Sequence, residues 1–413
     1  MKRLLLAALL LAVPPCLVAQ TRPLVLQSAE RMSGSKTQGV LTLQGGVKFR
    51  YDDATFSTEL AKWNQNLDQV NCTGGFRFDD PGGRLSAESG IYDRRNDKAM
   101  AQGAARLRDS TGNLRLDGDR IVYNRRTSVA TAEGSPRLTA IEADSSDPKA
   151  LRWDTLTIVA RRFEVDRERK TARATGQVVA VRGDLRVWCD SGTYRWEEGA
   201  MELSGSPRAA VGDVEISGKE MLIELEKRRL RRIKVVFDAT GRQRTFERRS
   251  RKTQCSQVDG DTLEAWFDGD RPKAFEARGS AVGRFYEEET GEYVNRADGA
   301  FLRLDFRAGK PSRGMVTGGA KTVYYHFDED VLEGRNEAIG DTVELGFSPD
   351  GIRSVQIRGL ATGGSPASGI YYGEKKGGPP DGGARKGTAP GGGKAVPAPD
   401  GGARKPAKAE DGR

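Results

Sequence analysis

Apolar and polar residues alternate with a period of two through most of the chain. Leu114 and Leu116 are flanked by polar residues, and so are Val214 and Ile216. Such alternation puts one set of side chains on a covered face of a strand and the other set in water. Turn sequences such as Asp-Gly and Pro-Gly-Gly stand between the runs and suit tight reversals. The pattern predicts an all-β protein, and residues 220–234 are also predicted to form a strand.

One phrase recurs along the chain: an alternating strand, a Tyr, a polar turn, a second strand and a Gly. It occurs at 90–103, 121–134 and 192–205, with looser copies further on. Self-similarity of this kind is typical of a repeat architecture. The glycines that end the units are Gly45, Gly74, Gly103, Gly134, Gly176, Gly205, Gly279, Gly318 and Gly359.

The spacing of these glycines is elastic. Most intervals span 29 to 42 residues, but 74 residues separate Gly205 from Gly279. We expect that interval to contain two units, the middle one degenerate around residues 235–241. Extra residues are tolerated best in loops, and the sequence predicts such loops at 143–151 and 242–258.

The two ends of the chain differ from the repeats. Residues 1–20 combine Lys2 and Arg3 with a short apolar run, which indicates an export signal cleaved near Ala19 or Gln20. Lipidation at Cys16 is the less favoured alternative. Residues 373–413 are rich in Gly, Pro and Lys and are predicted to be a disordered tail. Residues 21–372 would form the repeat region, with two tandem halves near 21–218 and 219–372.

The composition favours a thin, elongated protein, because 37% hydrophobic residues is low for one thick core. The net charge of +9 comes largely from the ends, since the segment 373–413 alone has nine Lys/Arg against five Asp/Glu. Export argues against a nucleic-acid partner. The basic stretch 227–252 therefore has two interpretations, solvated strands or a site for anionic lipid headgroups or acidic polysaccharide.

The residues that could carry catalysis are sparse. His326 is the only histidine, and its neighbours form neither a triad nor a calcium loop. Three cysteines remain after signal removal, Cys72, Cys189 and Cys255, which could include a disulfide or could be buried apolar residues. We expect no enzyme activity, no metal site and no cofactor.

The repeats resemble the OstA/LptA-like family of periplasmic lipopolysaccharide-transport proteins, in which Gly-x-Val/Ala strands alternate with segments that end in Tyr. The clearest matches are 176–194 and 103–123, and the resemblance covers roughly 24–372. It implies an elongated repeat of antiparallel strands folded into a twisted trough, a β-jellyroll or β-taco. It also implies a periplasmic carrier or bridge that holds acyl chains of lipopolysaccharide, or of another multi-acyl lipid, against the apolar inside.

The resemblance and the alternation together give candidate lipid-lining residues. Their alternative role is closed core packing without a ligand. The candidates are Leu41, Leu43, Val47, Phe49, Phe76, Phe78, Leu85, Ile91, Leu114, Leu116, Ile121, Val178 and Val187.

Expected partners are other β-jellyroll transport proteins, or a second copy end to end, through strand addition at exposed edges. The competing hypothesis is an exported structural or adhesive β-solenoid that binds glycans without lipid. A groove left open between the apolar faces would favour the carrier, and fully packed faces would favour the alternative.

Overall fold

The computed structural model describes residues 23–35, 39–143, 153–226, 229–247, 251–288, 291, 293–328, 331–348, 351–361, 365–366, 368–373 and 386–388. The predicted signal peptide and nearly all of the predicted loop at 143–151 lie outside these ranges. Within the predicted tail, Lys386–Thr388 forms a short strand, and the other residues after Gly373 lie outside the described ranges.

The described residues form strands without a helix, which confirms the all-β prediction. The first part contains β1 Val25–Ser28, β2 Arg31–Ser35, β3 Val40–Tyr51, β4 Ala54–Asn64, β5 Gln69–Asp80, β6 Gly83–Asp93, β7 Lys98–Asp109, β8 Leu114–Asn124, β9 Val129–Glu133, β10 Arg137–Ala143, β11 Trp153–Val159, β12 Arg162–Asp166, β13 Thr171–Arg182, β14 Leu185–Arg195, β15 Ala200–Ser204, β16 Arg208–Val211, β17 Val214–Ser217 and β18 Glu220–Glu226.

The remaining strands are β19 Arg229–Glu247, β20 Lys252–Asp268, β21 Arg271–Glu287, β22 Asn295–Arg307, β23 Lys310–Asp328, β24 Val331–Ser348, β25 Gly351–Arg358, β26 Leu360–Ala361, β27 Ser365–Pro366, β28 Ser368–Gly373 and β29 Lys386–Thr388. All strand pairings among the described residues are antiparallel, and 27 strands belong to one sheet while β26 and β27 pair separately. The described residues of the stretch 220–234 lie in the strands β18 and β19, as predicted.

The pairing register of the long strands shifts near their middle, where the sheet bends, and the punctuating glycines mark this bend in every second strand or at the break between two short strands. In β5 the pairing register shifts between Thr73 and Phe76, around Gly74 and Gly75, which both have positive φ. The nine glycines named above all have φ between 73° and 82°. We call this line of bends the crease. Positive φ is costly for residues with a Cβ, so the repeated glycine is a backbone requirement of the crease.

The crease divides the sheet into two walls. Wall A contains the segment before each crease glycine, such as 69–73 in β5, and wall B contains the segment after it, such as 76–80; in the alternate strands the order is reversed. The hairpin turns of both walls lie at the opposite edge, which we call the mouth. The buried apolar residues of both walls belong to one continuous core from Leu24 to Ile352.

The long interval between Gly205 and Gly279 contains one crease without glycine. Phe237 and Asp238 have φ of 65° and 53°, and the register shifts between Val236 and Ala239. The degenerate unit therefore keeps the bend although it lacks the residue that makes the bend easy. Phe237 is 54% exposed, so its ring does not fill the core.

The extra residues of the later units lengthen strands instead of loops. In the segment 242–258, predicted as an inserted loop, residues 242–247 belong to β19 and residues 252–258 to β20, and the two strands pair with each other there. These strands have 19 and 17 residues, against 12 for β3, β5 and β7. The prediction was wrong because loop tolerance is only a tendency, whereas a hairpin can also grow by adding ladder pairs to both of its strands.

Among the described residues, no helix has the length and apolar character needed to cross a membrane.

Candidate functional site: the mouth of the trough

Most of the predicted lining residues lie inside the trough. Leu41 is half-buried on this inner face. Ile91 lies on the outer face, because its neighbour Tyr92 takes the inward position with no exposed surface. The others are at most 7% exposed, and they are Leu43, Val47, Phe49, Phe76, Phe78, Leu85, Leu114, Leu116, Ile121, Val178 and Val187.

Aromatic rings fill the space between the walls in the first units. Phe56 of wall B lies 4.8 Å from Tyr92 of wall A, centroid to centroid, and Phe49 stacks on Phe56 at 4.9 Å. Phe49 also meets Trp63 of wall A edge-on at 5.6 Å. Such ring pairs add to the free energy gained by burial. The interior of this region is therefore packed by the chain's own side chains.

Ion pairs join the two walls at the mouth above these rings. Arg125 lies in a wall A turn, and its guanidinium bonds to Asp53 in a wall B turn and to Asp97 beside it. Burial lowers the pKa of Arg125, but the hydrogen bond and charge of Asp97 outweigh this effect and raise it. Arg125 also lies 5.5 Å from the ring centroid of Tyr51. The charged contact thus ties one wall to the other.

A second contact of the same kind involves Arg167 and Asp80. Arg167 of wall A lies 3.4 Å from the Asp80 carboxylate of wall B, and the two side chains are 10% and 5% exposed. Tyr123 donates its hydroxyl to Asp80 at 2.8 Å and lies under the Arg167 guanidinium. Burial is the main reason that the pKa of Tyr123 is raised. We call the contacts of Arg125 and Arg167 across the mouth the clasp.

A different opening lies at the mouth of the later units. A cleft of about 530 Å³ separates the walls there, within the size range of small-molecule sites. We call it the C-terminal cleft. Wall B contributes Thr245, Gln254, Cys255, Ser256, Phe285 and Asn295, and wall A contributes Arg307, Ala308, Lys310, Pro311, Ser312, Arg313, Phe347 and Ile352.

Two aromatic rings form the apolar part of this cleft. Phe285 of wall B and Phe347 of wall A approach to 4.9 Å between centroids, at an interplanar angle of 58°. Phe285 is 7% exposed and belongs to the continuous core, and Phe347 packs against that core. The cleft therefore leads from solvent to the apolar interior.

Polar bridges between the walls adjoin the C-terminal cleft. Gln243, 1% exposed, donates its amide to Asp213 at 3.0 Å and to the Gly309 carbonyl at 2.6 Å. Its Oε1 accepts no hydrogen bond from the described residues. Tyr324 of wall B donates its hydroxyl to the carbonyl of Ile352 in wall A at 2.7 Å. These bridges hold the walls in contact beside the opening.

The two regions of the mouth differ in charge. The residues of the C-terminal cleft include three Lys/Arg and no Asp or Glu. The polar space around the clasp, about 540 Å³, is lined by six Asp/Glu and four Lys/Arg. Arg313 is paired with Glu344 at 3.0 Å, so Arg307 and Lys310 are the cations that favour an anionic ligand at the C-terminal cleft, whereas the carboxylates around the clasp repel one.

The basic stretch 227–252 is largely neutralised by neighbouring strands. Arg232 bonds to Glu224 at 2.8 Å and lies 3.2 Å from Glu264. Arg244 lies 2.9 Å from Glu288. Lys227, Arg228 and residues 248–250 lie outside the described residues. For the described part, this pairing favours solvated outer strands over a dedicated anion site.

The three cysteines are buried and form no disulfide with one another. Burial raises the pKa of Cys72 to about 12 and that of Cys189, where Asp190 adds to the effect, to about 11. Both thiols are therefore protonated at neutral pH, and they pack as small apolar side chains.

The strand β23 contains His326, which pairs through its backbone with Gly334.

No protein-family model matches this chain, and no curated protein matches it. One similar solved structure is LptH, the LptA-homologous periplasmic component of the lipopolysaccharide transport device from Pseudomonas aeruginosa. The identity is 15%, the match covers 32% of this chain and 94% of that one, and the TM-score is 0.26. The fold class therefore follows from the strand pairing described above and not from this likeness.

Proposed function

We propose that the protein is an exported lipid-binding protein that shelters acyl chains between its walls. The observation that supports this proposal best is the C-terminal cleft, where the walls stand apart over a continuous apolar core. Burial of a methylene contributes about 0.8 kcal/mol, so ten methylenes would contribute on the order of 8 kcal/mol. The floor rings Phe285 and Phe347 would move aside to admit the chains.

The lipid class follows from the sequence resemblance and from the charge of the cleft. Lipopolysaccharide, or another anionic multi-acyl lipid, combines acyl chains with negative groups that suit Arg307 and Lys310 of the cleft. The signal-like residues 1–20 would place the protein in the periplasm, free or associated with the outer membrane. The proposed role is a non-enzymatic carrier or bridge.

The terminal strands support an association with other β-trough proteins. Among the described residues, β1 and β2 pair only with β3, and β25 pairs only with β24. Unpaired strand edges can accept a further strand. End-to-end contact with a second copy, or with another trough, would extend a shared interior.

Lipid extraction from the purified mature protein tests the proposal. We expect mass spectrometry to find a multi-acyl lipid, and we expect Phe285→Asp to lose it, because acyl chains would have to cover an ionised carboxylate and remove it from water. Phe246→Asp is the matched control, since Phe246 is 61% exposed. Protein that carries no lipid and binds none when lipid is added would disprove the carrier.

A structural or adhesive role is the second candidate. The aromatic packing between Phe49, Phe56 and Tyr92 favours it, because that region leaves no room for chains. A parallel solenoid does not fit, since every strand pairing in the described part of the chain is antiparallel. Failure of lipid binding together with binding to glycans would favour this role.

A further inference from the structure

The inner face of wall B changes its chemistry along the trough. In the first units this face is apolar near the mouth, with Phe49, Phe56 and Phe78 pointing inward. In the later units several of the corresponding inward positions carry amides or hydroxyls, although Phe285 keeps an aromatic ring there. The polar positions are Gln243, Thr245, Gln254, Ser256, Asn295 and Thr322.

The strand register places these polar residues side by side. Gln243 pairs with Ser256, and Thr245 pairs with Gln254, across β19 and β20. Ser256 in turn pairs with Phe285 on β21. Since Thr245, Gln254 and Ser256 line the C-terminal cleft, its wall B side is a patch of donors and acceptors above an aromatic floor.

Acyl chains would gain little from such a patch, because they cannot form hydrogen bonds with its amides and hydroxyls. Amides and hydroxyls of this kind suit a ligand that itself carries several hydroxyls. The buried Oε1 of Gln243, which accepts no hydrogen bond from the described residues, is a further acceptor on the same face. Arg307 and Lys310 stand on the opposite side and supply positive charge, whereas Arg313 is paired with Glu344 at 3.0 Å.

We infer that the C-terminal cleft binds the anionic, hydroxyl-rich head of the amphiphile, a phosphorylated sugar, between the polar patch of wall B and the cations of wall A. This inference rests on the proposed function, and it assigns the head to the cleft and the chains to the apolar interior below. The phosphate lies toward Arg307 and Lys310, and the sugar hydroxyls lie toward Gln254 and Ser256.

Two soluble probes test the cleft and the interior separately. The protein is delipidated and titrated by calorimetry with glucose 1-phosphate, and by fluorescence with the neutral apolar dye N-phenylnaphthylamine. Glucose and inorganic phosphate serve as half-probes. We expect glucose 1-phosphate to bind more tightly than either half-probe and to weaken as salt is added.

Two double variants locate the site. Arg307→Gln with Lys310→Gln should weaken glucose 1-phosphate binding about tenfold or more, because charged hydrogen bonds are lost. Gln254→Leu with Ser256→Ala should weaken it about as much while leaving phosphate alone unaffected. Lys48→Gln with Arg50→Gln, exposed on β3, removes the same charge as a control. Circular dichroism verifies that each variant folds.

The outcomes separate the inference from the proposed function. Dye binding without glucose 1-phosphate binding overturns the inference and leaves the lipid-binding proposal intact. Glucose 1-phosphate binding without dye binding supports the cleft site and counts against acyl-chain binding. Equal weakening by the control variant, or equal affinity for inorganic phosphate and the sugar phosphate, overturns the assignment to this cleft.

Discussion

The first units and the later units of the trough share one design but differ at the mouth. In the first units, Arg125 and Arg167 tie the walls together over a packed aromatic interior. In the later units, strands of 17 to 19 residues, such as β20 and β23, extend further from the crease, and the walls part at a cleft. The comparison teaches that the same crease can produce a closed core or an accessible groove, depending on the strand lengths and on the contacts between the walls at the mouth.

The largest expected effect comes from removing a ring in each region. Phe56→Ala should lower the free energy of unfolding by about 4 kcal/mol, because Phe56 is 1% exposed and its loss leaves a cavity between the walls. Phe285→Ala should cost only about 2 kcal/mol, because the C-terminal cleft already adjoins it and the cavity term is smaller. Urea denaturation measures both. Equal losses would contradict the difference between the two regions.

The clasp should have the next largest effect. Asp80→Asn should destabilise the protein by about 3 kcal/mol, because it leaves the nearly buried Arg167 charge without its carboxylate. The labelling rate of the buried Cys72 thiol should also rise as the walls separate. Asp79→Asn is the control: Asp79 is more exposed and pairs with Arg77 and Arg84, so less than about 1 kcal/mol is expected. Unchanged labelling in Asp80→Asn would show that the clasp does not hold the walls.

Alkaline pH should lower the free energy of unfolding by less than the loss of the clasp does, through tyrosines of the first units. Burial, aided by the hydrogen bond to Asp97, raises the pKa of Tyr92, and burial also raises that of Tyr123. A raised folded-state pKa gives stability that is complete below the unfolded pKa near 10 and is lost as pH rises above it. Above that pH, each such tyrosine should lower the free energy of unfolding by about 1.4 kcal/mol per pH unit. Denaturant midpoints of Tyr92→Phe should fall less steeply above pH 10, and parallel slopes would contradict this.

The aromatic partners in the first units show what pattern analysis missed. Tyr92 and Tyr123 are visible as the repeated tyrosines of the units, but their hydroxyls bond to Asp97 and Asp80 in turns. Asp80 and Tyr123 are 43 residues apart, and Asp80 and Arg167 are 87 residues apart. The only sequence signal was the acidic residue in each turn, which is also what any solvated hairpin contains.

The placement of Ile91 shows a limit of alternation. Ile91 and Tyr92 are adjacent and both apolar, so a period of two allows either residue to face inward. The register shift between Ser86 and Ser89 at the crease decides in favour of Tyr92. A bulge of this kind changes the face of every residue beyond it.

The sequence by itself determined the strands, the repeat and the crease, because alternation and positive-φ glycines act within a few residues of the chain. It also determined most of the inner face, from Leu43 to Val187. Only the tertiary structure decided where the mouth is clasped and where it opens. Those contacts join turns that are distant in the chain, and their strength depends on how far burial removes the charges from water.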